Sequence, residues 1–261
     1  MNASPCYSRD PRSGSGRGAM RALLALTASA ACCHAAVMQT MPTPGDSSSL
    51  LAATTIGGGA EFERTSDSDI WEFPLRLEFN VSDRLKLSAE PRFVSSTART
   101  PEGTSAVGLG DFEIGAAFEF VRERRYLPAL TTVAIIRWPT TSDPDLGNPG
   151  SDYTLGLIAS KDLSVIDVDV GASYSVVGDK KKGDQVELSL KLEYPLTYNL
   201  TLEAELIHTL YVRPAADQPA RRTEGVLGLG WEFSRRLKME IGVGMNNDGD
   251  WRGLLGWTYG L

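Results

Sequence analysis

Cysteine is almost absent from this chain of 261 residues, and basic residues are outnumbered by acidic ones. The three cysteines, Cys6, Cys32 and Cys33, all lie within the first 33 residues. If that segment is removed, the remaining chain has no thiol, which excludes cysteine nucleophiles, cysteine metal sites and disulfides. The formal net charge of −7 gives no indication of the basic surface that nucleic-acid binding requires. No stretch after residue 50 has the pattern of an amphipathic helix.

The N-terminal region is predicted to be a signal peptide. Several arginines precede a short run of apolar and small residues, and small residues suited to cleavage follow it. The apolar run is too short to span a bilayer, so cleavage is favoured over anchoring. The predicted segments are a signal peptide over 1–36, with its start at Met1 or Met20 and cleavage near Ala35 or Ala36, and a periplasmic tail over 37–49.

After residue 50, apolar side chains recur at every second position, which is typical of β-strands. In WEFPLRLEF (71–79), every odd position is apolar, whereas the even positions hold Glu, Pro, Arg and Glu. The same alternation recurs along the chain and predicts about twelve strands, with ten or fourteen as alternatives. Short turns alternate with longer polar loops, as in outer-membrane barrels. We therefore predict an all-β fold, an antiparallel up-and-down transmembrane β-barrel over residues 50–261.

Aromatic residues separate this fold from a soluble β-sandwich, which would show the same alternation. With both termini at the periplasmic rim, aromatic side chains fall near the strand ends, and Leu, Val, Ile and Ala lie between them. Two aromatic belts around an apolar band are typical of a barrel in lipid. The predicted aromatic girdle consists of Trp71, Phe79, Phe112, Phe120, Tyr153, Tyr174, Tyr194, Phe233, Trp251 and Tyr259.

The polar face of the strands is predicted to line a hydrated lumen. Pairing like faces across short hairpins sets opposite charges across from each other, each pair contributing about 0.2–1 kcal/mol. The predicted registers are Phe79 opposite Leu85, with Glu78 opposite Lys86 and Glu72 opposite Arg92; Tyr194 opposite Leu200, with Lys191 opposite Glu203; and Phe233 opposite Leu237, with Glu232 opposite Lys238. The lumen-lining candidates are Glu72, Arg76, Glu78, Lys86, Glu90, Arg92, Glu113, Glu119, Asp167, Asp169, Glu187, Lys191, Glu193, Glu203, Glu205, Glu232, Lys238 and Glu240.

No catalytic residue, metal site or cofactor is predicted, and the chain is not expected to be an enzyme. His208 lies on a face that parity places toward lipid, without an identifiable serine and acid partner, so a packing or interfacial role is favoured. The glycine-containing stretch 108–111 superficially resembles a phosphate-binding loop, but a strand follows it instead of a helix. Three lysines at 180–182 are predicted to form a solvated loop tip, with contact to lipopolysaccharide phosphates as the alternative.

Several stretches resemble a known outer-membrane family. They are GLGDFEIGAAFEF (108–120), PALTTVAIIRWPT (128–140), DYTLGLIASKDLS (152–164) and the closing LGLGWEFSRRLKMEIGVGMNNDGDWRGLLGWTYGL (227–261). Together they are similar to the family named MetA-pathway of phenol degradation, a set of outer-membrane barrel transporters. The resemblance extends over roughly residues 50–261 and implies a barrel, with aromatic or other hydrophobic cargo by analogy. One departure is Leu261, because such barrels usually end on Phe.

These features predict an outer-membrane channel or uptake porin for small solutes in a Gram-negative bacterium. Pore width and wall charge would select the solute, and the surplus of carboxylates favours cations or neutral compounds. The alternative is a non-conducting structural or surface-binding barrel that its loops and paired charges close. The predicted partners are outer-membrane lipid and lipopolysaccharide, the barrel assembly machinery through the C-terminal strand, and a small-molecule solute, with no nucleic acid.

Overall fold

Twelve β-strands make up the regular structure of the computed structural model, which describes residues 54–65, 68–99, 105–141, 146–179, 182–212 and 220–261. The predicted signal peptide and N-terminal tail lie outside these residues, as do Lys180 and Lys181. Within the described ranges, no helix is long and apolar enough to cross a membrane. The strands are β1 (Thr54–Arg64), β2 (Ser68–Asn80), β3 (Leu85–Ala98), β4 (Ala106–Val121), β5 (Ala129–Trp138), β6 (Asp152–Asp162), β7 (Asp167–Val176), β8 (Asp184–Pro195), β9 (Leu200–Val212), β10 (Arg221–Glu232), β11 (Leu237–Asn246) and β12 (Trp251–Gly260).

The strands form a closed barrel. Each strand pairs antiparallel with the next one along the chain, and β12 pairs with β1, where Gly58 lies opposite Trp257. Closure leaves no edge strand, so the apolar C-terminal strand, which would be a sticky edge in an open sheet, is paired on both sides. The predicted all-β, up-and-down barrel of about twelve strands is confirmed.

The two ends of the barrel differ in their connections. We call the end with the β2–β3, β4–β5, β6–β7, β8–β9 and β10–β11 turns the short-turn rim, and the opposite end the long-loop rim. In barrels of this type the short turns face the periplasm and the long loops face outward.

The outer wall is apolar and the inner wall is polar, which is the reverse of a soluble protein. Along β2, exposed Trp71, Leu75 and Phe79 alternate with Glu72 and Glu78, which are buried. An apolar surface of this extent is stable in lipid and would aggregate in water. The chain is therefore an outer-membrane β-barrel of the kind found in Gram-negative bacteria, as predicted.

Three short turns share one geometry that sets the register of their hairpins. In each, the backbone N–H before a three-residue turn donates to the carbonyl oxygen after it, from Val81 to Leu85, from Leu196 to Leu200 and from Phe233 to Leu237. The first turn residue is Ser or Thr, and its hydroxyl accepts a backbone N–H within the turn or at its end. The same pattern of an apolar residue, Ser or Thr, two variable residues and Leu occurs in all three.

The predicted register is confirmed for β10–β11, where Glu232 lies opposite Lys238. It is wrong by two residues in the other two hairpins, because the prediction gave them five-residue loops instead of the three-residue turn. A shift of two leaves every side chain on its predicted face. The observed pairs are Phe79 with Leu87, Glu78 with Ser88 and Glu72 with Val94 in β2–β3, and Tyr194 with Leu202, Lys191 with Glu205 and Glu193 with Glu203 in β8–β9.

Candidate functional site

The predicted lumen-lining side chains are all buried or half-buried in the barrel; contact with a solute stays a prediction. Glu78 and Lys86, predicted to face each other directly, are diagonal neighbours, with 3.7 Å between Lys86 Nζ and Glu78 Oε2. Glu72 lies across from Glu61 and not from Arg92, which pairs with other carboxylates. Half-buried members of the set are Arg76, Asp167, Asp169, Glu203, Glu205 and Glu232, and the others are buried.

One group of ion pairs lies in the half near the short-turn rim. Lys238 Nζ lies 3.0 Å from Glu203 Oε1 and 2.6 Å from Glu240 Oε1. Lys191 Nζ lies 2.7 Å from Glu193 Oε1 and 3.4 Å from Glu203 Oε2. We call these five residues the short-turn cluster. They belong to β8, β9 and β11, so the cluster bridges strands that are not neighbours.

Glycines in the intervening strands permit these long-range pairs. Gly230 on β10 lies beneath the Lys238–Glu203 pair, and a Cβ there would meet Lys238 Cε at 2.6 Å. Gly244 on β11 lies in the same way between the strands of a second ion pair, which joins Arg252 on β12 to Glu224 on β10. A Cβ at Gly244 would lie 3.0 Å from Glu224 Oε1. A side chain at either position would push the ion pair apart.

A second series of charges alternates in sign along the inner wall from β2 to β6. Arg76 pairs with Glu90, Arg92 bridges Glu90 and Glu113 at 2.9 and 2.8 Å, and Arg137 continues the series. Arg137 Nε lies 2.8 Å from Glu113 Oε1, and its Nη1 lies 3.4 Å from Asp152 Oδ2. Each arginine is therefore neutralised by carboxylates on its own or a neighbouring strand.

A third group of ion pairs spans the β1–β12 junction. Arg252 Nη1 lies 3.2 Å from Glu61 Oε1, and Arg252 Nε lies 2.5 Å from Glu224 Oε1. Arg222 Nη2 lies 3.0 Å from Glu63 Oε1, although β10 and β1 are separated by two strands. The sequence prediction missed these five residues, together with Arg137 and Asp152. Part of the signal was present, because Arg137, Asp152 and Arg252 lie next to the outward residues Trp138, Tyr153 and Trp251.

A polar cavity of about 290 Å³ occupies the barrel interior in the half near the long-loop rim. Its wall combines charged groups with hydroxyl and amide groups from most of the strands. Two predicted lumen residues, Glu113 and Glu187, line this space. The remaining lining residues are Glu63, Ile135, Arg137, Asn148, Asp152, Thr154, Ser173, Ser175, Val177, Lys182, Gln185, Thr209, Tyr211, Arg222, Glu224 and Arg252.

The loop between β5 and β6 contributes to this cavity through Asn148. The Asn148 backbone N–H donates to Asp111 at 2.9 Å, and its side-chain amide donates to Asp152 at 2.9 Å. Lys182 Nζ donates to the Asn148 side-chain oxygen at 2.6 Å. These bonds join the β5–β6 loop to β4 and to the β7–β8 loop at the mouth of the barrel.

The inner wall also contains an apolar patch that the sequence analysis did not predict. Ala117, Val133, Ile135 and Ile158 form a buried cluster on β4, β5 and β6. Their parity points them inward, and Ala117 and Val133 have no exposed surface at all. Side chains therefore fill the barrel at this height, and only Ile135 reaches the cavity.

The predicted girdle residues lie on the outer wall. Phe112 is half-buried and the others are exposed, with Trp71, Tyr153, Tyr174 and Trp251 toward the long-loop rim. Phe79, Phe120, Tyr194, Phe233 and Tyr259 lie toward the short-turn rim. His208 is half-buried, and its Nδ1 lies 2.8 Å from the Thr223 hydroxyl.

No known protein family matches the chain, and no curated protein matches it in sequence. The resemblance to the MetA-pathway family therefore stays a prediction. Solved structures do share the fold. The COG4313 outer membrane channel from Pseudomonas putida F1 superposes with a TM-score of 0.70 at 15% sequence identity, over 81% of this chain and 96% of that one.

Two further structures are similar. The KdgM porin in complex with disordered oligogalacturonate has a TM-score of 0.57 at 12% identity, over 78% of this chain and 98% of that one. The translocator domain of the autotransporter NalP from Neisseria meningitidis has a TM-score of 0.50 at 12% identity, over 82% of this chain and 90% of that one. At these identities the likeness establishes the barrel fold, which channels and a translocator domain share.

Proposed function

We propose that this protein is an outer-membrane channel for small polar solutes. The observation that carries the proposal is the cavity of about 290 Å³ inside the barrel, with its wall of charged, hydroxyl and amide side chains. A space of this size admits a small solute to the barrel, whereas a fully packed interior would not. Likeness to solved outer membrane channels and porins is consistent with this function.

The lining of the cavity favours polar solutes over the aromatic cargo that the family resemblance implies. Ile135 and Val177 are its only aliphatic lining residues among those described, and the others offer hydrogen bonds or charge. A hydrophobic solute would gain little from such a wall, because the polar groups would lose water without new partners. Selection by hydrogen bonding and wall charge is the mechanism that this geometry supports.

The apolar patch beneath the cavity favours a second candidate, a barrel that does not conduct. Val133 and Ile158 are shut off from solvent, so the interior is filled at that height. Apolar constrictions of this kind also act as gates in channels, where water enters when the side chains separate. The two functions therefore differ in whether the filled segment opens.

Liposome swelling tests the channel proposal. Liposomes containing the refolded protein are placed in isotonic solutions of neutral sugars, from a pentose to a tetrasaccharide. We expect swelling faster than in protein-free liposomes for the smallest sugars, with rates that fall steeply as size increases. Rates equal to those of protein-free liposomes for every sugar would contradict the proposal and favour the non-conducting barrel.

A further inference from the structure

Glu187 differs from the other carboxylates of the cavity because no described residue forms an ion pair or hydrogen bond with its side chain. Its side chain is 9% exposed, lines the cavity, and its Oε1 accepts no hydrogen bond. The cavity's other glutamates and Asp152 are each paired with an arginine, as Glu63 is with Arg222 and Glu113 with Arg137. Within the described part of the chain, Glu187 is therefore the cavity carboxylate that is left to bind something else.

The side chains next to Glu187 are neutral hydrogen-bonding groups. Ser173 on β7 and Thr209 on β9 lie directly opposite it in the two neighbouring ladders. Gln185 and Ser175 line the same part of the cavity one step closer to the long-loop rim. Together they form a polar wall around a single negative charge.

Burying a carboxylate is costly unless an opposite charge compensates it. The arginines that line the cavity are already held by Glu63, Glu113, Glu224 and Asp152, and Lys182, which also lines it, donates to the Asn148 side-chain oxygen. A primary ammonium group donates three hydrogen bonds. The Glu187 carboxylate and the hydroxyl oxygens of Ser173 and Thr209 offer three acceptors for them. Ca²⁺ needs six to eight oxygen ligands, usually several carboxylates, and no group of three His, Cys, Asp or Glu suited to a metal occurs in the described residues.

The size of the cavity limits the ligand. A space of about 290 Å³ corresponds to roughly ten water molecules at about 30 Å³ each. This volume accommodates a compact solute of the size of a monosaccharide. The hydroxyl and amide groups around Glu187 would hydrogen-bond to hydroxyl groups on such a solute.

We propose that the cavity binds a small hydroxylated organic cation, with Glu187 as the partner of its primary ammonium group. The inference deepens the proposed channel function by naming the class of solute. Binding itself needs only the folded barrel, so it is testable whether or not the solute crosses the membrane.

Three related sugars provide the test: glucosamine, which is cationic, glucose, which is neutral and of nearly equal size, and N-acetylglucosamine, which is neutral and larger by an acetyl group. Titration calorimetry on the full refolded chain in micelles is expected to show glucosamine binding at least tenfold more tightly than either neutral sugar. Glu187→Gln preserves shape and should abolish this preference. Thr209→Val, which leaves the carboxylate in place, should weaken glucosamine binding several-fold. Glu123→Gln, at the short-turn rim outside the cavity, is the control and should match the unmodified chain.

Equal binding of the three sugars would overturn the inference, because Glu187 would then be neutralised by a proton. A glucosamine preference that persists in Glu187→Gln would also overturn it, as would displacement of glucosamine by equimolar sodium. Heat-modifiable gel migration checks that each variant folds. If glucosamine binds but no sugar enters liposomes, the site is supported and only the channel proposal fails.

Discussion

At the scale of single residues, the barrel interior is organised by ion pairs between strands that are not neighbours. Lys238 on β11 contacts Glu203 on β9 across Gly230, and Arg252 on β12 contacts Glu224 on β10 across Gly244. Buried ion pairs add little net stability, but removing one partner leaves an uncompensated charge in a dry environment. These pairs therefore make the fold sensitive to single charge deletions.

Lys238→Met should show this sensitivity. The change leaves Glu203 and Glu240 without their shared partner and should lower the free energy of unfolding by about 3–5 kcal/mol. Urea titration of the barrel in micelles, followed by tryptophan fluorescence, measures the effect. Lys161→Met is the matched control, because its pair with Glu123 is partly exposed and should contribute no more than about 1 kcal/mol. Equal losses in both variants would show that the short-turn cluster is not buried.

Strand parity predicted which face each charged residue occupies, but not which residues meet. Glu203 and Lys238 were both predicted to line the lumen, yet their contact spans an intervening strand whose glycine gives no sequence signal for it. Glu61 and Glu63 were missed because β1 begins with TTIGGGA, where alternation is weak. The unpartnered state of Glu187 depends on the positions of every neighbouring arginine, which a one-dimensional pattern cannot provide.

At the scale of elements, the turns determine the register of the hairpins, and the apolar outer wall determines that the barrel lies in lipid. Ser82, Thr197 and Ser234 begin equivalent three-residue turns. Recognising the shared pattern would have predicted all three registers, whereas matching charges predicted only the β10–β11 pair. Charge matching failed because diagonal partners such as Glu78 and Lys86 satisfy each other as well as direct ones do.

The β11 strand allows the lipid-facing wall to be tested at two depths. Ile241 lies in the middle of the strand and is 60% exposed, and Leu237 begins the strand at the short-turn rim. Ile241→Arg should destabilise the barrel by about 2–4 kcal/mol and Leu237→Arg by about 0–1 kcal/mol. Refolding into phospholipid vesicles under a urea gradient measures both. The reverse order, or equal costs, would show that the middle of β11 is not in the hydrocarbon region.

At the scale of the whole molecule, the interior has two distinct parts. The half near the long-loop rim holds a polar cavity, in whose described lining Glu187 is the unpartnered carboxylate, and the segment below it is filled by charged clusters and the apolar patch. The arrangement suits a channel that admits a small solute to a binding site and restricts its onward passage. Whether the filled segment opens decides between a channel and a closed barrel.

Single-channel recording in planar bilayers tests whether the filled segment opens to form a channel. We expect small, cation-selective conductance steps, and larger steps for Ile158→Ala, which removes volume from the apolar patch. Leu157→Ala, on the lipid-facing side of the same strand, should conduct like the unmodified protein. The absence of steps in both the unmodified protein and Ile158→Ala would contradict the channel.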